Sequence, residues 1–167
     1  MLNKLQAATR VSDLANFYYF PTDCPHREKN GWMGDAAASV ETAQYLYDNT
    51  AAYRKWVADI SDAQRPSGEL PGIVPTSGWG YFWGNGPGWD AALGVVAEAV
   101  YRHKGDPRLL IEAYPALKKL CGFYAREKLR GDLVDWGLGD WGAPKPEKMP
   151  TVAYTSSCHV MRTHEIA

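Results

Sequence analysis

Apolar side chains recur every three or four residues through most of this chain, which is the spacing of one face of an α-helix. The clearest stripe runs from residue 53 to residue 60 and consists of Tyr53, Trp56, Val57 and Ile60. Comparable patterns predict six helices: up to about Asp13, Asp35 to about Asp48, Asn49 to before Pro66, Asp90 to Gly105, Asp106 to before Gly131, and Thr151 onward. Because no stretch shows the alternation of a half-buried strand, the pattern predicts an all-α fold.

Residues typical of helix ends mark several of these boundaries. They are Asp35, Asn49 or Thr50, and Asp106 as N-caps, Gly105 as a stop, Pro107 at the first helical position, and Asp90 at the start of its helix. Tight links near 49 and 105 should therefore join neighbouring helices into hairpins, and six helices make about three. Pro115 should kink the fifth helix or split off its first turn.

The last predicted helix has no stop signal. It presents Ala153, Ser157, Val160 and His164 on one side and reaches Ala167 without a Gly, Asn or Pro beyond its last turn. We therefore expect residues 1–167 to form one partial domain that is cut within a helix.

Long loops carry most of the tryptophans. Of the seven tryptophans, Trp56 lies on a helical face, and the others lie in glycine-rich connections: Trp32, Trp79, Trp83, Trp89, Trp136 and Trp141. The connections at 66–89 and 131–150 are too long for passive turns in a compact domain. Indole rings offer flat apolar surface to the C–H face of a sugar, although they can equally fill the core of a large loop.

Composition and charge narrow the classes of partner. With 46% hydrophobic and 22% charged residues and a formal charge of −1, the chain is ordinary for a globular domain and has no basic stripe for nucleic acid. No apolar run approaches the roughly 20 residues of a membrane span, and the first residues lack the apolar segment of a signal peptide. Cytoplasmic and periplasmic residence both stay open.

Cysteines and histidines give no metal or disulfide pattern. The odd count of Cys24, Cys121 and Cys158 predicts no disulfide framework, and neither Cys24 and His26 nor the 158–164 segment has zinc-site spacing. The glycine-rich stretch 78–88 lacks the Lys-Ser/Thr ending of a phosphate loop. We therefore expect neither a metal nor a cofactor.

Residues 22–35 bring several side chains suited to binding and catalysis into one short segment. They hold the acids Asp23, Glu28 and Asp35 together with Arg27 and Trp32, and Pro25, Gly31 and Gly34 make the segment irregular. Irregular loops on a rigid scaffold often carry binding and catalytic groups. Acids around an aromatic ring suit glycoside hydrolysis, in which one carboxyl protonates the leaving oxygen while others bind hydroxyls and stabilise the transition state.

The pattern Asp-Cys-Pro-x-Arg-Glu at 23–28, followed by Gly-Trp-x-Gly-Asp at 31–35, resembles the signature of the inverting α-L-rhamnosidases. Weaker similarity appears at 88–92, Gly-Trp-Asp-Ala-Ala, and at 139–141, Gly-Asp-Trp. The resemblance implies an (α/α)₆ toroid of helical hairpins, of which this chain would supply about the N-terminal half.

The resemblance also implies roles for the acids and for Arg27. Glu28 matches the family's proton donor, while Asp23 and Asp35 match acids that hold sugar hydroxyls. Arg27 would bind a hydroxyl or hold a carboxylate in place. The interval between Asp23 and Asp35 is one residue shorter than in the commoner family pattern and lacks a second acid. Without the motif, Glu28 would be interpreted as a surface acid paired with Arg27 or Lys29. For Asp35, the role of an N-cap fits the sequence as well as the binding of a sugar hydroxyl.

Trp32, Trp89 and Trp141 fall where the family places aromatic walls for rhamnose. The general base of inversion matches no residue of this chain, although Glu69, Asp90, Asp135 and Asp140 are predicted loop acids. The implied function is hydrolysis of terminal α-L-rhamnosyl residues from a glycoside or polysaccharide, with the base outside residues 1–167 and little turnover by this chain alone.

Two alternatives remain from the sequence. One is another inverting glycosidase or uronidase on the same toroid, and the other is a non-catalytic carbohydrate-binding module. Half a toroid would also expose the apolar faces of its terminal helices, which makes a homodimer through those faces plausible.

Overall fold

The computed structural model describes residues 1–76, 80–142 and 149–167. Its α-helices are α1 Leu2–Ala15, α2 Met33–Leu46, α3 Thr50–Asp62, α4 Pro87–Asp90, α5 Ala92–Lys104, α6 Arg108–Phe123 and α7 Val152–Ile166. A π-helical turn, Tyr124–Lys128, continues α6, and the two-residue strands β1 Leu129–Arg130 and β2 Leu133–Val134 pair antiparallel. The prediction of an all-α fold is confirmed. The short α4, the π-helical turn and the small hairpin were not predicted.

Helix α5 lies at the centre of the fold and packs against α2, α3, α6 and α7. The helix pair α5–α6 forms the predicted hairpin, and Gly105 ends α5 in a left-handed conformation at φ 69°. Helices α2 and α3, joined by a short link at 47–49, each make their main contacts with α5. The predicted stripe of α3 is buried throughout, with Trp56 and Ile60 fully enclosed.

Helix α2 begins two residues before the predicted start, so Asp35 is not its N-cap. Trp32 occupies the cap position, and Asp35 lies in the first helical turn. The early start follows from pairing with the 66–89 connection: Val74 N donates to Gly31 O at 2.8 Å and Met33 N to Gly72 O at 2.9 Å. A carboxylate in the first turn is favoured by the helix dipole.

Asp90 does not open α5, as the sequence predicts; it ends the short helix α4. Its side chain is 0% exposed and accepts hydrogen bonds from Gly86 N and from the Tyr124 hydroxyl. The prediction that Pro115 splits its helix is also wrong, because α6 is continuous from Arg108 to Phe123 with Pro115 inside it. The proline is exposed, while a buried stripe that includes Leu117 and Leu120 holds the helix against the core.

Helix α7 turns a different side inward from the one predicted. Ser156 and Thr163 are its buried residues, whereas His164 is exposed. The rotation is fixed by hydrogen bonds to the 131–138 segment: Ser156 Oγ donates to Trp136 O at 2.7 Å, and Ser157 Oγ accepts from Val134 N at 2.9 Å. Ala153, Ser157 and Val160 of the predicted stripe are half-buried, and Val160 packs against the core together with Ile166.

Helix α1 lies on the outside of the fold and has no buried residue. It is tied to the rest of the structure by the Tyr47 hydroxyl, which donates to Arg10 O at 3.0 Å. Several of its apolar side chains are exposed, namely Leu2, Leu5, Val11 and Leu14. Pairing of such faces in a homodimer remains a prediction. No helix in the described part of the chain is long and apolar enough to cross a membrane.

Candidate active site

Three separate loops meet around one cavity of about 470 Å³. It is lined by side chains from the 23–35, 83–89 and 138–141 segments. The side chains that line it are Asp23, Cys24, Arg27, Glu28, Asn30, Trp32, Asp35, Trp83, Trp89, Leu138 and Trp141. The structure thus brings all seven sequence-predicted site residues together, although their chemical roles remain predictions.

A groove of about 610 Å³ between α3 and α6 is larger, but it is a weaker candidate for a catalytic site. Its charged side chains already pair with one another, Arg54 with Glu112 and Arg108 with Asp106. The 470 Å³ cavity instead combines acids whose oxygens are partly free with indole rings, which is the composition expected of a sugar site.

Glu28 is held in the cavity by a tryptophan. Its Oε2 accepts a hydrogen bond from Trp32 Nε1 at 2.8 Å, and its backbone N donates to Cys24 Sγ at 3.3 Å. Glu28 is exposed, as the surface-acid interpretation expects, but within the described residues it bonds to Trp32 and forms no ion pair with Arg27 or Lys29. Lys29 adopts a left-handed conformation at φ 56°, uncommon for a residue other than glycine, which helps turn the loop back toward Asp23.

Asp23 closes the same loop from its other end. Its Oδ1 accepts from Asn30 N at 2.9 Å, and its backbone N donates to Asn30 O at 3.1 Å. Among the described residues, its second carboxylate oxygen has no protein donor. One oxygen therefore fixes the loop while the other can accept a hydrogen bond from a ligand.

Asp35 stands at the start of α2, on the cavity side. Although Asp35 is exposed overall, partial burial of its carboxyl raises the pKa above the usual value, and the negative charges of Asp23 and Glu28 raise it further. A hydrogen bond with its own backbone acts in the opposite direction. Because the charges of Asp23 and Glu28 contribute to this shift, the three carboxyl groups interact electrostatically, as expected for a convergent site.

The two deep tryptophans depend on glycines that leave room for their rings. Gly84, at φ 86°, lies under Trp32, and a Cβ there would come within 2.5 Å of the indole. Gly34 lies against Trp89, and a Cβ there would come within 2.9 Å of the ring. These close approaches explain why the loops need glycine at these positions.

Trp89 is oriented by the turn that contains Asp90. Asp90 Oδ1 accepts from Gly86 N at 3.3 Å and Oδ2 from the Tyr124 hydroxyl at 2.9 Å, which ties α4 to the end of α6. The indole of Trp89 is 9% exposed, and its Nε1 has no acceptor among the described residues. Its position thus depends on ring packing and on the Asp90 bonds.

The cavity contains residues that the sequence-based site prediction missed. Trp83 had a signal, since it lies in one of the aromatic loops, but Leu138 had none, because an isolated leucine is usually a core residue. Trp136 packs against Phe123 and Tyr124 away from the cavity, and Trp79 lies outside the described residues. Cys24 is buried beneath the loop, as predicted.

None of the four predicted loop acids lines the cavity. Asp90 is enclosed in the core, Glu69 pairs with Arg65 at 2.7 Å, and Asp135 and Asp140 are exposed without lining the cavity. The described ranges contain no group of three or more His, Cys, Asp or Glu side chains arranged to hold a metal ion.

The helices pair, and the loops that connect them meet in a pocket of acids and tryptophans. These are the features of a six-hairpin glycosidase domain. A sequence model of the bacterial alpha-L-rhamnosidase 6 hairpin glycosidase domain matches residues 1–167, and the chain belongs to that family. The family and the fold predicted from the motif at 23–35 are both confirmed.

Similar proteins agree with this assignment. An alpha-L-rhamnosidase of Formosa agariphila is 32% identical over 160 residues, which cover 87% of this chain and 16% of that protein. One of Streptomyces avermitilis is 36% identical over 145 residues, covering 84% of this chain and 14% of the relative. The chain therefore spans about a sixth of the length of these relatives.

Solved structures give the same result. The structure of alpha-L-rhamnosidase from Dictyoglumus thermophilum superposes with a TM-score of 0.84 at 32% identity, over 97% of this chain and 18% of that one. That of the Streptomyces avermitilis alpha-L-rhamnosidase complexed with L-rhamnose superposes with a TM-score of 0.82 at 26% identity, over 96% of this chain and 16% of the other.

Proposed function

We propose that the protein containing this chain hydrolyses terminal α-L-rhamnosyl residues of glycosides or polysaccharides with inversion. In this proposal, residues 1–167 supply the proton donor and part of the sugar pocket. The observation that carries it is the convergence of Asp23, Glu28 and Asp35 with four tryptophans around one cavity. The relative whose structure contains L-rhamnose supports the choice of sugar.

Glu28 is proposed as the general acid. Because Trp32 Nε1 occupies Oε2, a proton on the carboxyl group would reside on Oε1, which has no protein partner among the described residues. From there it can pass to the glycosidic oxygen as the bond to the anomeric carbon breaks. Trp32 thus gives the acid a fixed orientation without neutralising it by an ion pair.

Asp23, Asp35 and Arg27 are proposed as ligands for sugar hydroxyls. Charged groups form the stronger hydrogen bonds, and Asp23 keeps one oxygen free for them. Trp32, Trp89 and Trp141 would form apolar walls for the rhamnosyl ring. The C–H face and the methyl group of rhamnose suit such apolar surfaces.

Inversion needs a second carboxylate, which activates a water molecule on the opposite face of the sugar at roughly 6.5–9.5 Å from the acid. Asp23 and Asp35 lie on the same loop-and-helix segment as Glu28, and the four predicted loop acids do not line the cavity. No other acid of the described residues lines the cavity, and we therefore propose that the base lies outside residues 1–167 and that this chain alone shows little or no turnover.

The test compares hydrolysis of an aryl α-L-rhamnoside by this chain, by the longer protein encoded by its gene, and by the Glu28→Gln variant of the longer protein. Loss of a general acid should lower the rate by about 10²- to 10⁴-fold while L-rhamnose binding persists. Glu127→Gln is the matched control, because Glu127 is exposed and does not line the cavity.

Each alternative gives a different result. Full activity of the short chain would mean that one of its own acids is the base. Binding of L-rhamnose by a longer protein that hydrolyses no glycoside would favour a carbohydrate-binding module. Hydrolysis of another glycoside or a uronide in preference to rhamnosides would favour a different inverting glycosidase.

A further inference from the structure

The loop that carries Glu28 makes little contact with the core. Its two ends are joined by the hydrogen bonds between Asp23 and Asn30. Between them, residues 26–29 are exposed, and Cys24, at 8% exposure, is the buried residue of the loop. Because packing contributes little to holding the backbone of Glu28, its position depends on hydrogen bonds.

Two hydrogen bonds hold Glu28 within this loop, and one of them involves a thiol. The Trp32 indole donates to the Glu28 carboxyl at 2.8 Å, and the Cys24 sulfur accepts from the backbone N–H of Glu28 at 3.3 Å. No backbone carbonyl of the described residues accepts a hydrogen bond from that N–H. The sulfur therefore takes the place that the carbonyl oxygen four residues earlier has in an ordinary α-turn.

Cysteine suits this position because it combines two properties. A free cysteine packs as a small apolar side chain and is among the most buried residue types. Its sulfur is also a weak hydrogen-bond acceptor. Alanine at position 24 would leave the N–H of Glu28 without its partner, whereas serine would keep an acceptor on a shorter side chain.

The two hydrogen bonds fix different parts of Glu28. Trp32 orients the carboxyl group, and Cys24 holds the backbone from which the side chain projects. A general acid must lie within hydrogen-bond reach of the leaving oxygen. Because a displacement of about 1 Å can lower the rate of an enzyme by about 10²-fold, a loosened backbone would weaken proton donation even with the Trp32 bond in place.

We propose that Cys24 is a positioning residue for the general acid, and that its sulfur holds the backbone of Glu28 where the carboxyl group reaches the glycosidic oxygen. This inference rests on the proposed function of Glu28. Cys24 lines the cavity, but its hydrogen bond is to the loop and its role is exerted through Glu28. The thiol thus affects proton donation as well as filling the space beneath the loop.

Two rhamnosides that differ in their need for a proton test this role in the longer protein. Because 2,4-dinitrophenolate is a far weaker base than phenolate, 2,4-dinitrophenyl α-L-rhamnoside needs little proton donation, whereas phenyl α-L-rhamnoside needs a general acid. Cys24→Ala should lower kcat/KM about tenfold for the phenyl compound and less than about twofold for the dinitrophenyl compound. Cys24→Ser keeps an acceptor and should stay within about threefold of the wild type for both. L-rhamnose binding should be unchanged in both variants.

Cys121→Ala is the matched control, because Cys121 is also buried, at 9% exposure, but lies in α6 and does not line the cavity. Its ratio of the two kcat/KM values should equal that of the wild type. If Cys24 acts through Glu28, adding Cys24→Ala to Glu28→Gln should cause no further loss on the phenyl rhamnoside, and a further loss would contradict the role. Thermal unfolding verifies that each variant is folded, and Cys24→Val, which also lacks an acceptor, carries the test if Cys24→Ala is not.

Three results with Cys24→Ala would overturn the positioning role while leaving the proposed function intact. They are unchanged kcat/KM values, an equal fall for both rhamnosides, and weaker binding of L-rhamnose. The equal fall would mean that the thiol serves only folding, and the weaker binding would mean that it contacts the sugar. If Glu28→Gln itself slows both rhamnosides equally, Glu28 is not the general acid, and the role of Cys24 falls with that assignment.

Discussion

The loop at 23–35 and the turn at 86–90 each hold a carboxyl group close to a tryptophan, Glu28 with Trp32 and Asp90 with Trp89, yet the two pairs are bonded in opposite ways. In the first, Glu28 is exposed and accepts its hydrogen bond from the indole of Trp32 at 2.8 Å. In the second, Asp90 is 0% exposed and bonded to Gly86 N and Tyr124, while the indole N–H of Trp89 has no acceptor among the described residues.

The difference separates two uses of a carboxyl group. An acid that is to act on a ligand needs one fixed oxygen and one free oxygen at a cavity. An acid that is to fix a turn needs both oxygens bonded and no contact with solvent, because a buried polar group without partners is costly. Asp90 therefore stabilises the wall on which Trp89 stands, whereas Glu28 faces the space enclosed by that wall.

The largest effect should come from Asp90→Ala. The change leaves the Gly86 N–H and the Tyr124 hydroxyl as buried donors without an acceptor, and unsatisfied buried groups cost about 1–3 kcal/mol each. We expect the free energy of unfolding to fall by about 3 kcal/mol, equivalent to about 6–12 °C in melting temperature for a chain of this length. Urea and thermal unfolding measure both.

Asp90→Asn is the matched control, since its amide oxygen can accept from Gly86 N while its amide nitrogen donates to the Tyr124 oxygen. It should lose less than about 1 kcal/mol at neutral pH. A loss below about 0.5 kcal/mol in Asp90→Ala would show that the two hydrogen bonds do not stabilise the turn.

Much of the fold was accessible from the sequence because packing follows periodicity. The stripe from Tyr53 to Ile60 is buried as its spacing predicts, and Gly105 ends α5 where the pattern stops. The boundaries at Asp35 and Asp90 were not accessible. Aspartate suits an N-cap, a first helical turn and a buried acceptor alike, and long-range pairing with residues 72–74 decides which one Asp35 adopts.

The candidate site, too, was predictable from the sequence only in part. A long motif predicts Asp23, Glu28, Trp32 and Asp35 together, since the residue types and the spacing are both specific. Leu138 reaches the cavity only because the 131–142 segment folds back onto α4, where Gly137 approaches Gly86. No local pattern encodes that contact, so only the three-dimensional structure could identify Leu138.

The pH dependence of stability sharpens the contrast between the two acids. Burial raises the pKa of Asp90 well above its usual value of 3.8. The charge of Glu69 adds to the rise, while the hydrogen bonds from Tyr124 and Gly86 and the charge of Lys128 oppose it. The folded protein therefore binds the proton more tightly than the unfolded chain, and the contribution of Asp90 to stability falls as pH rises from about 4 toward the folded pKa.

Unfolding of the wild type and of Asp90→Asn should accordingly be compared from pH 4 to pH 8. The wild type should lose stability relative to the variant as pH rises, with a slope of at most about 1.4 kcal/mol per pH unit for one proton. Because Asp35 titrates in both proteins, the difference isolates Asp90. A constant difference, or one that increases in favour of the wild type, would contradict a protonated buried Asp90.

The smallest effect on stability should come from Glu28→Gln, although the same change is expected to lower turnover in the longer protein by about 10²- to 10⁴-fold. The side-chain oxygen of glutamine can still accept from Trp32 Nε1, and the position is exposed, so the free energy of unfolding should change by less than about 0.5 kcal/mol. Glu28→Ala should lose about 1 kcal/mol, because it removes that hydrogen bond. Urea unfolding beside Glu127→Gln provides the measurement. If Glu28→Gln cost as much as Asp90→Ala, Glu28 would be a structural acid like Asp90, and its loss of turnover could not be assigned to proton donation.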